Sequence, residues 1–561
     1  MGTIRIEKGD WLKNAGIIGL IKVLEVNTFI DEDKDYIEFD EECLEDFEED
    51  YFRLMIDTHK ERLSISKIIA YESLLDRIKT SKLTKELISE INKAIEYIKP
   101  KITSNSYKNG YLIIENDFDI LGKAKELSKI KLTKKEEKSD IEEIKRGEVL
   151  KQANLLGEII DFFSDEEVFR IIAAKNVMYD IIQPFWTNVS LLLKTNNKED
   201  MYKLYKEDFI NPVLKYNSVN KEKYKYNCFI CDNKISKLGK PDSYELTWLV
   251  KTGVDSSRKS SHFWNLNSDA YICPICNLVY SCVPLGFNIM YGQGIFINKN
   301  SSLESLKQVN VTRDFYDSDK FEEMENKSYL NIVNYMKNQS VENIKEEFEN
   351  IQVIKFDSSN SSRPYTFNML SKEVMWIMYS HRKNLENLIK VTVKVTDKYY
   401  INVYNEVVKR LFNGSNMFDL IHQLLILYLN GSFKGIYSIE RILNINNSVL
   451  YMKGVKDMNL TESSKYKNYG LKLREAYKDK SSESKLQGIT YRLLNALKTK
   501  DTGKFMDTLI NSYMYVRKEI PTDFIKALGY NDRLSSVGYA FIIGLQGIEV
   551  KNEGGENNNG K

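Results

Sequence analysis

Apolar residues recur along most of the chain with the period of helices that bury one face. Between about residues 51 and 98 they lie three or four positions apart, at Leu83, Leu87, Ile91, Ala94, Ile95 and Ile98. Residues 153–215 show the same period. It returns at Leu486, Ile489, Leu493, Leu494 and Leu497, and then at Phe505 and Leu509. With 417–430, 521–528 and 532–545, the pattern predicts a C-terminal bundle of at least four helices.

Short runs rich in β-branched and aromatic residues predict a few strands. They are Tyr111–Glu115, Tyr244–Val250, Gln352–Phe356 and Val391–Val395. The predicted fold class is therefore α+β, mainly α. Because 561 residues are too many for one core, we expect several regions. They are a mixed α/β region 1–222, a cysteine-bearing segment 223–297, a middle α/β region 298–400, a helical bundle 401–550 and a disordered tail 551–561.

The first predicted helix begins after Asp10, which can cap its N-terminus, and runs to about residue 25. Gly16 and Gly19 lie in its interior, where each costs about 1 kcal/mol relative to alanine. Such glycines usually let another group approach the backbone closely. That group is either a partner helix, which composition favours, or a nucleic-acid strand that Lys13 and Asn14 could contact.

Four of the six cysteines form two Cys-x-x-Cys pairs, Cys228 with Cys231 and Cys273 with Cys276. Each pair lets two thiolates reach one metal ion from a tight turn, and two pairs complete a tetrahedral site. Thiolates favour zinc or an iron–sulfur centre over magnesium or calcium. Because four protein ligands leave no position for water, we predict a structural Zn²⁺ rather than a catalytic one.

Other interpretations of these cysteines stay open. The two pairs are 41 residues apart, whereas a zinc ribbon usually separates them by about 15–20. The thiols could instead be buried or reactive, the metal could be an iron–sulfur centre, or His262 could replace one ligand. The remaining cysteines, Cys43 and Cys282, are predicted to be ordinary buried thiols.

Composition and charge predict a globular protein that is soluble and cytoplasmic. Hydrophobic residues make up 42% and charged residues 29%, and the sequence shows no signal peptide and no apolar run that could span a bilayer. The net charge of +1 excludes a global field that attracts nucleic acid. Locally, 31–50 carries 13 acidic residues and one lysine, whereas 451–504 carries 13 basic and 6 acidic residues. Each run alone is more typical of a solvated face.

A loop between the cysteine pairs combines basic, hydroxyl and aromatic side chains from Arg258 to Trp264. Such a mixture suits single-stranded nucleic acid, through phosphate pairing and base stacking. The aromatic side chains could equally pack inward.

Few residues are spaced for catalysis. The chain contains neither a phosphate-binding loop nor a nucleophile elbow. Arg53 and His59 fit the loose Arg-x(4–6)-His pattern of HEPN-type ribonucleases, in which the pair would stabilise a phosphorane and move a proton. The pattern is short and common, and a structural arginine with a surface histidine explains it better. The residues alone therefore assign no catalytic site.

Several stretches resemble one protein family, the CXXC–CXXC family of type I-B CRISPR large subunits. The first is WLKNAGI at 11–17, and the most specific are CFIC at 228–231, CPIC at 273–276 and the flank LVYSCVPLGF at 278–287. Two C-terminal runs look similar as well, YRLLNAL at 491–497 and GYAF at 538–541.

The resemblance implies a non-enzymatic subunit of the RNA-guided surveillance complex called Cascade. Such a subunit inspects the protospacer-adjacent motif and helps to open target DNA in antiviral defence. The implied partners are CRISPR guide RNA, target double-stranded DNA and its displaced strand, the other Cascade subunits and a recruited helicase–nuclease, with no membrane.

The resemblance also places the C-terminal bundle along the displaced strand. The candidate strand contacts there are Lys472, Arg474, Lys478, Arg492 and Lys498. Lys13, Asn14 and Arg258 are the candidates for reading the motif. Two rival functions stay open, a HEPN-like ribonuclease and a zinc-stabilised interaction protein without a nucleic-acid role.

Overall fold

The computed structural model describes most of the chain and divides it into two compact units. Described are residues 2–25, 31–32, 35–133, 141–249, 271–311, 321, 324–325, 327–329, 331–332, 351–360, 362–396, 399–455, 460–482, 484–527 and 531–547. The first unit comprises Met1–Ser328 and Ile351–Phe367, and the second comprises Tyr329–Asn350 and Asn368–Lys561. Residues 223–297 thus belong to the same unit as 1–222.

The first unit is mostly helical. Its helices are α1 (Trp11–Leu24), α2 (Phe47–His59), α3 (Ser64–Ile69), α4 (Glu72–Thr80), α5 (Lys85–Ile102), α6 (Asn105–Tyr111), α7 (Ile120–Glu126), α8 (Ile141–Ser164), α9 (Glu166–Val177), α10 (Met201–Tyr205), α11 (Asn211–Asn217), α12 (Pro274–Ser281), α13 (Val283–Gly286) and α14 (Leu303–Val309). The predicted apolar stripe of α5 is buried, as a helix with one core-facing side requires.

Three small sheets accompany these helices. Their strands are β1 (Thr3–Glu7), β2 (Asp31–Glu32), β3 (Tyr36–Asp40), β4 (Tyr226–Asn227), β5 (Lys234–Ile235), β6 (Asn288–Met290), β7 (Gln293–Asn298), β8 (Ile351–Asp357) and β9 (Tyr365–Leu370). The strand orders are β1-β3-β2, β4-β5 and β6-β7-β8-β9. The pairs β1–β3, β2–β3, β4–β5, β6–β7 and β7–β8 are antiparallel, and the boundary between the units falls within β9.

Helix α1 lies at the centre of the first unit. The Asp10 side chain accepts a hydrogen bond from the Lys13 N–H at 2.9 Å, so the predicted cap is confirmed. Apart from Trp11 and Lys22, every residue of α1 is buried. A helix that is buried on nearly all sides must contact neighbours on all of them, which makes α1 the element around which the others pack.

Within its described residues, the second unit is a helical bundle with one hairpin. The hairpin pairs β10 (Thr392–Thr396) with β11 (Tyr399–Asn402). Its helices are α15 (Lys372–Ser380), α16 (Arg382–Glu386), α17 (Val403–Phe412), α18 (Phe418–Leu429), α19 (Ile436–Met452), α20 (Leu460–Asp479), α21 (Lys485–Lys498), α22 (Thr502–Val516), α23 (Asp523–Ala527) and α24 (Asn531–Leu545). The predicted C-terminal bundle and the α+β, mainly α class are confirmed.

Helices α20 and α24 cross with almost no side chain between them. A Cβ atom on Gly470 would come closer than 3.0 Å to the carbonyl oxygen of Phe541, and one on Gly544 equally close to that of Lys467. Glycine is needed at both positions, since real Cβ contacts are not that short.

Two predicted strands are wrong. Tyr111 ends helix α6, and residues 112–115 follow it as a turn, with Leu112 65% exposed and no partner strand beside them among the described residues. Between Tyr244 and Leu249 the chain makes only isolated bridges, to Ile272 and Trp186. A short apolar run has no period of its own, so only its neighbours decide its conformation. Val250, the 258–264 loop and the tail 551–561 lie outside the described residues.

Within the described part of the chain, no helix combines the length and the apolar character that a membrane crossing needs.

Candidate metal centre and neighbouring sites

The first cysteine pair lies on a tight hairpin. Strands β4 and β5 pair antiparallel, and Cys228 directly follows β4. The Cys228 N–H donates to the Asn233 carbonyl at 2.8 Å, and the Asp232 N–H donates to the Cys228 carbonyl at 3.0 Å. Asp232 adopts a left-handed φ of 59°, which aspartate tolerates in turns. This turn brings Cys231 back beside Cys228.

The second pair begins a helix. Cys273 is the N-cap residue of α12, and Pro274 occupies its first turn, where a fixed φ and a missing N–H favour helix initiation. Cys276 follows in the same turn. The Phe229 N–H donates to the Tyr271 carbonyl at 2.9 Å, which holds the start of α12 against the hairpin.

The four sulfur atoms converge on one point. All four Sγ atoms lie within 4.8 Å of one another, with Cys228 and Cys276 3.8 Å apart and Cys231 and Cys273 3.6 Å apart. Four thiolates about 2.3 Å from one tetrahedral ion would be about 3.8 Å apart. The Cys273 N–H also donates to the Cys228 sulfur at 3.2 Å, which favours a thiolate there. The cluster therefore fits a four-sulfur metal site.

Four crowded thiols cannot all ionise unless a cation lies among them. Hydrogen bonds from the other three thiols lower the pKa of Cys228. Hydrogen bonds to Cys228 and burial raise the pKa values of Cys273 and Cys276. Without a cation, Cys273 and Cys276 would thus stay protonated, whereas a divalent cation stabilises four thiolates together.

The site is closed on most sides, as a structural metal site requires. Cys228, Cys273 and Cys276 are buried, and Cys231 is half-buried. His262, the alternative ligand, lies outside the described residues. The predicted burial of Cys282 is confirmed and raises its pKa to about 12, whereas Cys43 is only half-buried.

The segment that carries the second pair packs directly on α1. A Cβ atom on Gly16 would come closer than 3.0 Å to the Val279 carbonyl oxygen, and one on Gly19 equally close to that of Cys282. Glycine alone allows this approach. The predicted close approach to both glycines is therefore confirmed, and the approaching group is the helical segment α12–α13.

The contact is reciprocal, because a Cβ atom on Gly286 would meet the backbone of Ala15. The two stretches 11–17 and 278–287, which carry much of the family resemblance, therefore form one interface. This interface directly follows Cys276 in the chain, so the metal centre and the N-terminal helix share a single packing arrangement.

Asn14 and Lys13, the predicted motif readers of α1, are both buried. The Asn14 Nδ2 donates to the Gly9 carbonyl at 3.0 Å and to the Oδ1 atoms of Asn298 and Asn300 at 2.9 and 3.1 Å. Its Oδ1 accepts from the Gly9 N–H at 2.8 Å. In this structure Asn14 joins the start of α1 to β7, and no part of its amide is presented to a nucleic acid.

Arg53 and His59 do not form a joint site. Arg53 lies on the exposed face of α2 and pairs with Asp50, whereas His59 is 5% exposed. Six helical residues place two side chains about 120° apart around the axis. Burial, together with the charges of Arg62 and Lys22, lowers the pKa of His59 to about 3, too low for a proton carrier near neutral pH. The predicted surface histidine is thus a buried one.

The predicted strand contacts of the C-terminal bundle differ in exposure. The exposed members, on α20 and α21, are Lys472, Lys478, Arg492 and Lys498. Arg474 is half-buried and donates to the Leu545 carbonyl at 3.1 Å. Leu545 ends α24, so Arg474 stabilises a helix C-terminus. Arg258 lies outside the described residues.

Arg492 lines an open groove between α21 and α22, with a volume of about 820 Å³. Lys485, Lys504 and Tyr515 line the same groove, with Asp507 as the acidic member. The Lys485 Nζ donates to the Tyr515 hydroxyl at 2.9 Å and lies 4.1 Å from the centroid of its ring. Sequence analysis missed Lys485, Lys504 and Tyr515. The helical spacing of Lys485 and Arg492 was visible, but the pairing of their helix with α22 was not.

Comparison with known proteins bears on the segment that holds the metal centre. Residues 221–288 match the family model described as CRISPR-associated protein (Cas_CXXC_CXXC). No curated protein and no solved structure matches the chain. The matched residues include all four clustered cysteines and most of the interface with α1, and they support a CRISPR-associated protein with two CXXC motifs.

Proposed function

We propose that this protein is the non-catalytic large subunit of a type I-B guide-RNA surveillance complex. In that role it inspects the sequence beside the target, helps to open the DNA duplex and supports recruitment of a helicase–nuclease. One observation carries the proposal. The residues that match the CRISPR-associated family are the same residues that fold into the four-sulfur centre.

We also propose that the bound metal is Zn²⁺ and that its role is structural. Cys228, Cys231, Cys273 and Cys276 would hold it, and their spacing supports tetrahedral coordination. The ion would supply a cross-link between the β4–β5 hairpin and the start of α12. The four cysteine ligands leave no position for substrate, which agrees with a subunit that binds rather than cleaves.

Binding contacts alone suffice for such a subunit. Exchange of a DNA duplex for an RNA–DNA duplex is nearly balanced in free energy, so a few protein–backbone contacts decide whether opening proceeds. The groove between α21 and α22 offers Lys485, Arg492 and Lys504 for a phosphate backbone, with Tyr515 for base stacking. The 14 residues of α21 would extend about 21 Å along such a strand.

The test is a duplex-binding assay on a guide-loaded complex assembled with and without this chain. The targets share one protospacer and differ only in the flanking bases. We expect binding and flank discrimination only when the chain is present. A complex that assembles and discriminates equally well without it would refute the proposal. Absence of RNA from the native complex would instead indicate an interaction protein.

A further inference from the structure

A separate cavity of about 450 Å³ lies in the first unit, beside α1, α2 and the chain that follows α13. Lys22, His59 and Arg62 contribute basic side chains to its wall, and Leu54 and Phe287 are among its apolar side chains. It contains no metal ligand and no residue of the groove in the second unit.

Three nitrogen-bearing side chains converge on this cavity. The Lys22 Nζ donates to the Leu285 carbonyl at 2.9 Å, and burial lowers the pKa of Lys22 to about 8. The Arg62 guanidinium reaches the Ile289 carbonyl at 3.5 Å. Both cations are close enough to His59 to contribute to the lowering of its pKa. Two cationic side chains, those of Lys22 and Arg62, therefore line one cavity.

The acidic residues of the wall do not neutralise Lys22. Glu25 is exposed and pairs with Lys307 at 2.6 Å, and Asp57 is exposed at the rim. Among the described residues, no carboxylate forms an ion pair with Lys22. Lys22 is half-buried. A partly desolvated cation without a counter-ion is costly, and an anionic ligand would reduce that cost.

We propose that this cavity binds a phosphomonoester of nucleotide size, with the phosphate between Lys22 and Arg62. Charge-assisted hydrogen bonds from lysine and arginine are the usual means of holding phosphate. The volume falls within the range of about 300–1,000 Å³ for small-molecule sites, so the ligand has a body beyond the phosphate. Leu54 and Phe287 offer that body an apolar wall.

The phosphate could belong to a free nucleotide or to the end of a nucleic-acid strand, since both present the same group. Calorimetric titration of the full chain with AMP, a 5′-phosphorylated oligonucleotide and its 5′-hydroxyl counterpart distinguishes these two sources of the phosphate. Tighter binding of the phosphorylated strand than of AMP assigns a strand end, and the reverse assigns a free nucleotide. This site is independent of the proposed function, so a negative binding result here would not contradict that function.

The decisive variant is Lys22→Met, which removes the charge and keeps the apolar stem. Loss of one charge-assisted hydrogen bond should weaken AMP binding at least about tenfold. Lys99→Met is the matched control, because the Lys99 Nζ likewise donates to a backbone carbonyl, that of Leu127 at 2.6 Å, away from the cavity. Equal affinities in the two variants would overturn the proposal. So would the absence of saturable AMP binding up to about 1 mM, or inorganic phosphate binding as tightly as AMP.

The wild-type protein gives a second test that needs no variant. A phosphomonoester gains its second charge above about pH 6, and Lys22 loses its charge as the pH rises through its pKa of about 8. Arg62, Glu25 and Asp57 line the same site, and His59 stays neutral because its pKa is about 3. AMP affinity should therefore be highest between about pH 6 and 8 and fall on either side. Constant affinity from pH 6 to 10 would overturn the proposal.

Discussion

Replacement of Gly19 by alanine tests how tightly the metal-bearing segment is joined to the N-terminal helix. The new Cβ atom would come closer than 3.0 Å to the carbonyl oxygen of Cys282. The backbone of α1 fixes the position of the Cβ atom, and the carbonyl oxygen belongs to the backbone, so no side-chain rotation can relieve the clash. Either α1 or the α12–α13 segment must move as a body, and α1 is buried on nearly all sides.

Two opposing terms set the size of the effect. Alanine is better than glycine inside a helix by about 1 kcal/mol. Overpacking of a well-packed interior costs about 1–3 kcal/mol. A clash between the new Cβ atom and a backbone carbonyl oxygen should cost close to the upper value, because neither atom can rotate away. We therefore expect Gly19→Ala to lower the free energy of unfolding of the first unit by about 2 kcal/mol.

Hydrogen–deuterium exchange with peptide resolution measures this change in α1 and in residues 274–286 separately from the second unit. Gly147→Ala is the matched control, since Gly147 also lies inside a helix but has no heavy atom within 4 Å of the position of its added Cβ. It should be neutral or more stable by up to about 1 kcal/mol. If Gly19→Ala behaves like Gly147→Ala, the close packing of α1 on α12–α13 is refuted.

Three further perturbations test the metal centre, the groove and the buried histidine. Cys276→Ser should reduce the zinc content from about one ion per chain and remove much of the roughly 10 kcal/mol that a structural zinc ion contributes to stability. Mass spectrometry measures the zinc content, and urea unfolding measures the stability. The control Cys43→Ser should change neither quantity. Arg492→Glu should lower the salt dependence of single-strand binding by about 0.7 per lost phosphate contact, whereas Lys434→Glu, exposed and outside the groove, should leave it unchanged. The pKa of His59 is lowered from 6.5 to about 3, so the unfolded chain binds the extra proton between these values and stability rises with pH across that window. His59→Gln should remove up to about 5 kcal/mol of that rise in a pH series of unfolding curves, and an unchanged series would contradict the burial of His59.

Local chemistry explains what the sequence could predict. The cap at Asp10 and the buried stripe of α5 depend on residues within a few positions of one another, and both are present. The cysteine cluster is a longer-range prediction, yet it succeeds across 41 residues. Four soft ligands in two identical pairs are best explained by a shared metal ion. Their chemistry therefore predicts a contact between the two pairs that hydrophobic periodicity could not predict.

The failures depend on neighbours that are distant in sequence. Residues 111–115 have the composition of a strand, but no described strand lies beside them. Strand β3 lies inside the acidic run, where the charges hid the alternation of buried Ile37 and Phe39. Lys22 and Arg62 line one cavity because α1 packs against α2, which Arg62 follows in the chain. No local pattern in the sequence predicts that these two distant residues line the same cavity.

The glycines of α1 and the clustered cysteines support the same packing arrangement. Cys276 lies on α12, and the carbonyl groups of Val279 and Cys282 that follow it contact Gly16 and Gly19. A metal ion that fixes the start of α12 therefore also fixes the surface on which α1 rests. By thermodynamic linkage, packing of α1 must favour metal binding by the same factor by which the metal favours that packing. The α1 stretch and the cysteine segment thus contribute to the same property, the rigidity of the first unit, and a change in either should be measurable at the other.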